Sequence, residues 1–143
     1  MTPISSSSPE FLTDLLAACL KNGCYPAALL RTDKGKQLVE LVAPADSFPD
    51  HSIAYRANRT SQALILACAS YEPRQALLVE LLQLGDDREQ TLTTRRENIA
   101  ELGFADSGDS ARKKEKEWLF DLSVELMILV ETDLPGPPLK AVG

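Results

Sequence analysis

The side chains that could do chemistry are few, and their spacing assembles none of the familiar catalytic sets. His51 is the sole histidine of the 143 residues. Any Ser-His-Asp or Cys-His arrangement would have to use it as the base, yet it stands in a Pro/Asp/Ser-rich loop with no paired motif, where a solvated loop residue is the expected reading. Cys19 falls on the apolar face of a helical pattern and Cys68 within LILACAS, so both read as small core residues rather than nucleophiles. Cys24, between Gly23 and Tyr25, is expected to be partly exposed, with nothing nearby in sequence to lower its pKa. Lys34-Gly35-Lys36 lacks the G-x-x-x-x-G-K-[ST] pattern of a phosphate-cradling loop. Asp86 and Asp87 could be paired metal ligands, but the start of a helix explains them first. No catalytic residue, metal ligand or cofactor site is therefore expected, and the chain is not read as an enzyme.

The remaining candidates are residues for contact. Arg95 and Arg96, like Arg112 to Lys116, are interleaved with Glu97, Glu115 and Glu117, and such mixed sign predicts a solvated helix face rather than a nucleic-acid patch. Trp118 and Phe120 follow the six consecutive charges Arg112 to Glu117, a border that marks either the edge of a core or the anchor of an interface. Core packing is the preferred reading for most large aromatics. Arg95, Arg96, Trp118 and Phe120 are nonetheless the candidate protein-binding residues.

Bulk properties narrow the partners. Fifteen Lys and Arg against 21 Asp and Glu give a net charge of −6, which disfavours nucleic acid and anionic membrane surfaces. Hydrophobic residues at 44% and charged residues at 25% are ordinary globular values, and the length suits one domain without a metal or disulfide staple. Three cysteines without CxxC spacing predict free thiols and a reducing compartment. No apolar run approaches 18 residues, and MTPISSSSPE carries no signal-peptide pattern, so a cytoplasmic protein is expected.

The elements that must position these residues read as helices. Ser8 is placed to cap a helix with Pro9 at its first position, Leu12, Leu15, Leu16 and Cys19 recur at helical spacing, and Asn22-Gly23 supplies the stop. Over 25–44, either a hairpin turning at Asp33–Lys36 or two helices fit, and the adjacent pairs Leu38-Val39 and Leu41-Val42 favour helices. Residues 45–59 predict a long loop, or a loop with one short helix around Ile53 and Tyr55, and Thr60-Ser61 a cap for the helix through QALILACAS. The stretch EPRQALLVELLQLGDD packs five leucines and a valine into positions 77–84. It predicts a surrounded core helix begun at Pro73 and closed by a left-handed Gly85, followed by an Asp86/Glu89 capping box for a helix that ends at Gly103. The segment 110–133 alternates like a strand from Phe120 to Leu126 yet also shows helical spacing; its length favours a long helix capped by Asp109 or Ser110.

The expected architecture is therefore all-α: about six short helices plus a longer C-terminal helix, the alternative being an α+β fold with a small mixed sheet. A single helical domain over 8–134, with its core in 8–104 and the added helix at 110–133, lies between flexible tails at 1–7 and 135–143. An ankyrin-like reading of ALILACASYEPRQALLVELLQLGDD fails for want of a second copy about 33 residues away. The order of FLTDLLAACL, LVELVAP, a Pro/Asp-rich loop and RTSQALILACASYEPRQALLVELLQLGDD resembles the bacterial effector-associated domains over about residues 10–90. Those are small death-domain-like bundles that act as adaptors in signalling and conflict systems. The resemblance implies a non-catalytic module that binds a protein partner, with a homodimer as one form. A second reading is an acidic dimeric secretion chaperone of the type III kind, in which 25–43 and 118–130 would be strands, and a third is a hydrolase or nuclease with an unrecognised site.

Overall fold

Hydroxyl side chains start most of the helices. In the computed structural model, which describes residues 8–70, 74–84 and 90–131, the Oγ of Ser8 accepts from the Phe11 amide at 3.0 Å and Pro9 opens α1 (Pro9–Cys19). Gly23 N–H donates to the Cys19 carbonyl and stops the chain there. Pro26 begins α2 (Pro26–Leu29), and Thr32 caps α3 (Asp33–Val42) by accepting from Gly35 N–H. The residues of the alternative hairpin turn, Asp33 to Lys36, are thus the first turn of α3. A 3-10 turn over Ala45–Ser47 leads to α4 (Ile53–Ala69), α5 (Gln75–Leu82), α6 (Leu92–Glu101) and α7 (Gly108–Glu131). The fold is all-α, with no strand among the described residues, and both segments of ambiguous period are helical.

Several boundaries differ from those expected. The helix through QALILACAS starts at Ile53, where Ser52 accepts from Tyr55 N–H, so Ile53 and Tyr55 form its first turn and not a separate short helix. Thr60 and Ser61 are buried within it instead of capping it. Thr60 turns its hydroxyl back to the Arg56 carbonyl within the helix, and Ser61 donates across to the Cys24 carbonyl between α1 and α2, so both donors are satisfied. At the end of α5 the left-handed residue is Gln83 (φ 55°), with Gln83 N–H bonded to the Glu80 carbonyl and Leu84 N–H to that of Val79. Thr91, not the Asp86/Glu89 pair, caps α6. Ser107, not Asp109 or Ser110, caps α7 by accepting from Ser110 N–H. Pro73, Gly85, Asp86, Glu89 and both tails lie outside the described residues.

The core explains the sequence's leucines. Leu77, Leu78, Leu81 and Leu82 of α5 are fully or almost fully buried, as expected of a surrounded helix. They belong to one cluster with Leu12, Leu16, Leu38, Val39 and Leu64, and that same cluster takes in Trp118, Leu119, Leu122 and Leu126 of α7. The last helix packs on α1, α4 and α6. The division into a complete core over 8–104 plus an added helix is therefore not what the packing has: α7 carries core residues along about half its length. Close approach of α2 and α3 demands Gly35, because a Cβ there would lie 2.1 Å from the Leu29 carbonyl oxygen.

Candidate interaction surface

Four side chains were the sequence's candidates for contact, and the fold separates them. Arg95 is completely buried, which corrects the expectation of a solvated face at that position. Its guanidinium donates to the carbonyls of Gln90 (3.2 Å), Leu81, Leu20 (2.6 Å) and Lys21 (3.1 Å). It thereby fastens the ends of α1 and α5 to the beginning of α6, supplying donors to carbonyls that helix ends leave without partners. Arg96 grips Glu115 of α7 through both its Nε and its Nη2, the second bond at 2.9 Å, an arrangement that aligns two helices of the same chain. Trp118 is 4% exposed and lies in the core. Phe120, at 37%, is the one of the four with a large solvent-facing surface.

Phe120 does not stand alone. Val124, partly buried, and Ile128, 52% exposed, follow it at i+4 and i+8, so the three form one apolar line along α7. The helix α1 runs beside α7, with the hydroxyls of Thr13 and Ser123 3.1 Å apart. On the solvent side of that seam Lys116 reaches Asp14 at 3.5 Å. Phe120 is one turn from Lys116 on α7, which puts it on this same side, whereas Phe11, 50% exposed, lies two residues from Thr13 and so on a different face of α1. Glu117 and Glu125 flank the line with acid. Sequence reasoning misses Ile128, although the 120/124/128 spacing is present in the chain. A smaller apolar pair, Ile65 and Leu66, is exposed on α4.

The residues considered for catalysis pack among their own neighbours. His51 is half-buried rather than solvated: it stacks on Tyr55 with ring centroids 4.2 Å apart and meets the edge of Phe48. Arg59 covers the other ring of this group, 5.4 Å above Phe48. All three cysteines are free and buried, Cys24 completely, so its expected partial exposure is corrected. Cys24 is drawn in by its N–H bond to the Leu82 carbonyl at 2.7 Å and by Ser61 on its own carbonyl. A hydrogen bond between the two thiols holds the Cys19 pKa down and pushes that of Cys24 well up, with burial adding to the rise at Cys24. Burial pushes Cys68 up to about 12. Among the described residues no group of three or more His, Cys, Asp or Glu could hold a metal ion, and no helix is long and apolar enough to cross a membrane.

An all-α bundle with an apolar line on its last helix is the class that fold and surface define. No protein-family model matches the chain, and no curated protein or solved structure matches it.

Proposed function

We propose that this chain is a non-catalytic protein-interaction module that meets its partner through the α1–α7 seam. The observation that carries the reading is the line of Phe120, Val124 and Ile128: apolar side chains along one rigid helix, where interfaces draw their anchors. The acidic flank from Glu117 and Glu125 suits a partner with an apolar ridge edged by Lys or Arg. Such a partner is a protein and not a nucleic acid or lipid surface, in keeping with the net charge of −6. An adaptor role in bacterial signalling or conflict systems, in the cytoplasm, is what the resemblance to effector-associated domains adds. A homodimer through the same seam is one form of the reading. The secretion-chaperone reading needed strands over 25–43 and 118–130, where α2, α3 and α7 lie.

Immobilised wild-type chain and a Phe120→Asp/Ile128→Asp variant test the surface side by side. Both substitutions are at exposed positions and leave the melting transition nearly in place. Partners retained by the wild type, or a dimer seen by light scattering, are lost from the variant. Equal capture and equal mass for the two would remove this seam from consideration.

A further inference from the structure

The outward face of α7 changes character along its length. Arg112, Lys113, Lys114 and Lys116 open it, all four exposed, and the acid among them, Glu115, is turned inward onto Arg96. Residues 117–130 then carry three acids, Glu117, Asp121 and Glu125, and no base. The apolar line of Phe120, Val124 and Ile128 runs through this acidic part, with Met127 partly buried beside it. Lys113, Glu117, Phe120, Val124 and Ile128 follow one another three or four residues apart, so the cations and the apolar line share one strip, opposite the buried Leu119, Leu122 and Leu126.

Arg112 and Lys113 reach Asp109 at 3.0 and 3.4 Å, and Lys116 reaches Asp14 at 3.5 Å, but every one of these side chains is more than half exposed. Ion pairs so far out in water contribute little and exchange readily for a partner that brings its own acid. A strip that is basic at one end, acidic toward the other and apolar within is complementary to itself once it is turned end for end. An antiparallel neighbour lays each basic end over the other's acidic part, whereas a parallel one sets cation against cation and acid against acid. The ridge edged by Lys and Arg that this face calls for is therefore present on α7 itself. The helix needs no ordering to offer it, since Trp118, Leu119, Leu122 and Leu126 hold its other side in the core.

We propose that the partner of this face is a second copy of the chain, docked α7 against α7 in antiparallel about a two-fold axis near Leu122. Phe120 of each copy then comes level with Val124 of the other, and Ile128 with Lys116, whose aliphatic stem covers it while the ammonium stays in water. Lys114 and Glu125 lie on one edge of the strip, three helical turns apart, and the two-fold sets that edge against the same edge of the copy, cation toward carboxylate. The assignment rests on α7 being the interaction face and narrows that reading to one partner.

Sedimentation equilibrium of the full chain reads its mass, which should climb with concentration from 15.6 kDa toward twice that value. Lys113→Glu/Lys114→Glu and Glu117→Lys/Glu125→Lys, all outside the core, should each weaken self-association by roughly tenfold or more, and an equimolar mixture of the two should recover it, an acidic strip meeting a basic one. A spin label on Lys113→Cys, the three native thiols being buried, reads the direction. Position 113 is nine residues from the axis on each copy, so at about 1.5 Å per residue the labels stand about 27 Å apart along antiparallel helices, against about 10 Å across a parallel pair. The long distance, in a dimer that Phe120→Asp/Ile128→Asp dissolves, supports the assignment. A chain that stays monomeric at every concentration overturns it, yet leaves the wider reading standing if the wild type captures a foreign protein that this variant does not. The short distance overturns the antiparallel pair alone, and a dimer that survives Phe120→Asp/Ile128→Asp overturns the use of this face altogether.

Discussion

Arg95 ties together backbone carbonyls of α1's end, of α5 and of the approach to α6. Replacing it with Leu keeps much of the volume but strips donors from the carbonyls of Leu20, Lys21, Leu81 and Gln90. The expected cost is roughly 3 to 5 kcal/mol, about one for each of the four carbonyls left without its donor. Arg95→Lys recovers little of it, because an ammonium cannot span the same set of acceptors. Urea denaturation of both variants measures this. None of it was legible locally: Arg95 reads as one member of a mixed-sign helix, and three of its four acceptors are 14, 74 and 75 residues away. The cysteines were more legible, since Cys19 and Cys68 lie in the core where their apolar neighbours put them. Their burial sets a pH dependence. The Cys68 thiol keeps its proton in the folded chain up to about 12, whereas in the unfolded chain it is lost near the ordinary value of 9.0. Between those values the unfolded state binds fewer protons than the folded one, so stability present below pH 9 falls as pH rises toward 12. Cys24 adds in the same direction. Cys68→Ala should therefore show a shallower loss of melting temperature between pH 9 and 11 than the wild type; parallel curves would contradict the assignment.

At the scale of elements, two glycines separate close approach from backbone conformation. Gly35→Ala forces a Cβ to within 2.1 Å of the Leu29 carbonyl oxygen, so α2 and α3 must part, at a cost of about 1 to 3 kcal/mol or more. Gly103 ends α6 at φ 95°, where Gly103 N–H bonds to the Ala100 carbonyl and Phe104 N–H to that of Ile99, and a Cβ there meets nothing within 4 Å. Gly103→Ala pays only the left-handed backbone, about 1 to 2 kcal/mol. Thermal melts of the pair should rank in that order. Stops such as Gly23 and Gly103 were readable because they act within one turn of the chain. Starts were harder where several hydroxyls competed. Ser52 caps α4, but Thr60-Ser61 offered an equal signal in sequence, and only the packing that buries those two hydroxyls shows them to be interior. The helix-or-strand ambiguity over 25–44 resolved on the adjacent apolar pairs: Leu38, Val39 and Val42 are buried on one face of α3, with Leu41 at its edge, an arrangement a two-residue period cannot make.

At the scale of the molecule, α7 is not an appendage. Trp118, Leu119, Leu122 and Leu126 fill the space between α1, α4 and α6, and Arg74 of the α5 start pairs with Asp121 at 2.8 Å. A chain ending at Asp109 should consequently lose its cooperative melt and aggregate, exposing the apolar faces of three helices; a soluble truncated protein with an intact transition would show that the bundle closes without α7. The all-α class was legible because period and capping agree along most of the chain. The seam was only half legible, since Phe120 stands out in sequence while the pairing of α1 with α7 shows only in the Thr13–Ser123 contact. That contact joins residues 110 positions apart, the first helix to the last. During synthesis the ribosome delivers α1 long before the surface that covers it: at about 5 to 20 residues per second the wait is on the order of 5 to 20 s. For that interval α1 has no α7 to pack against, so the side of α1 that α7 covers stays open to other contacts until α7 emerges.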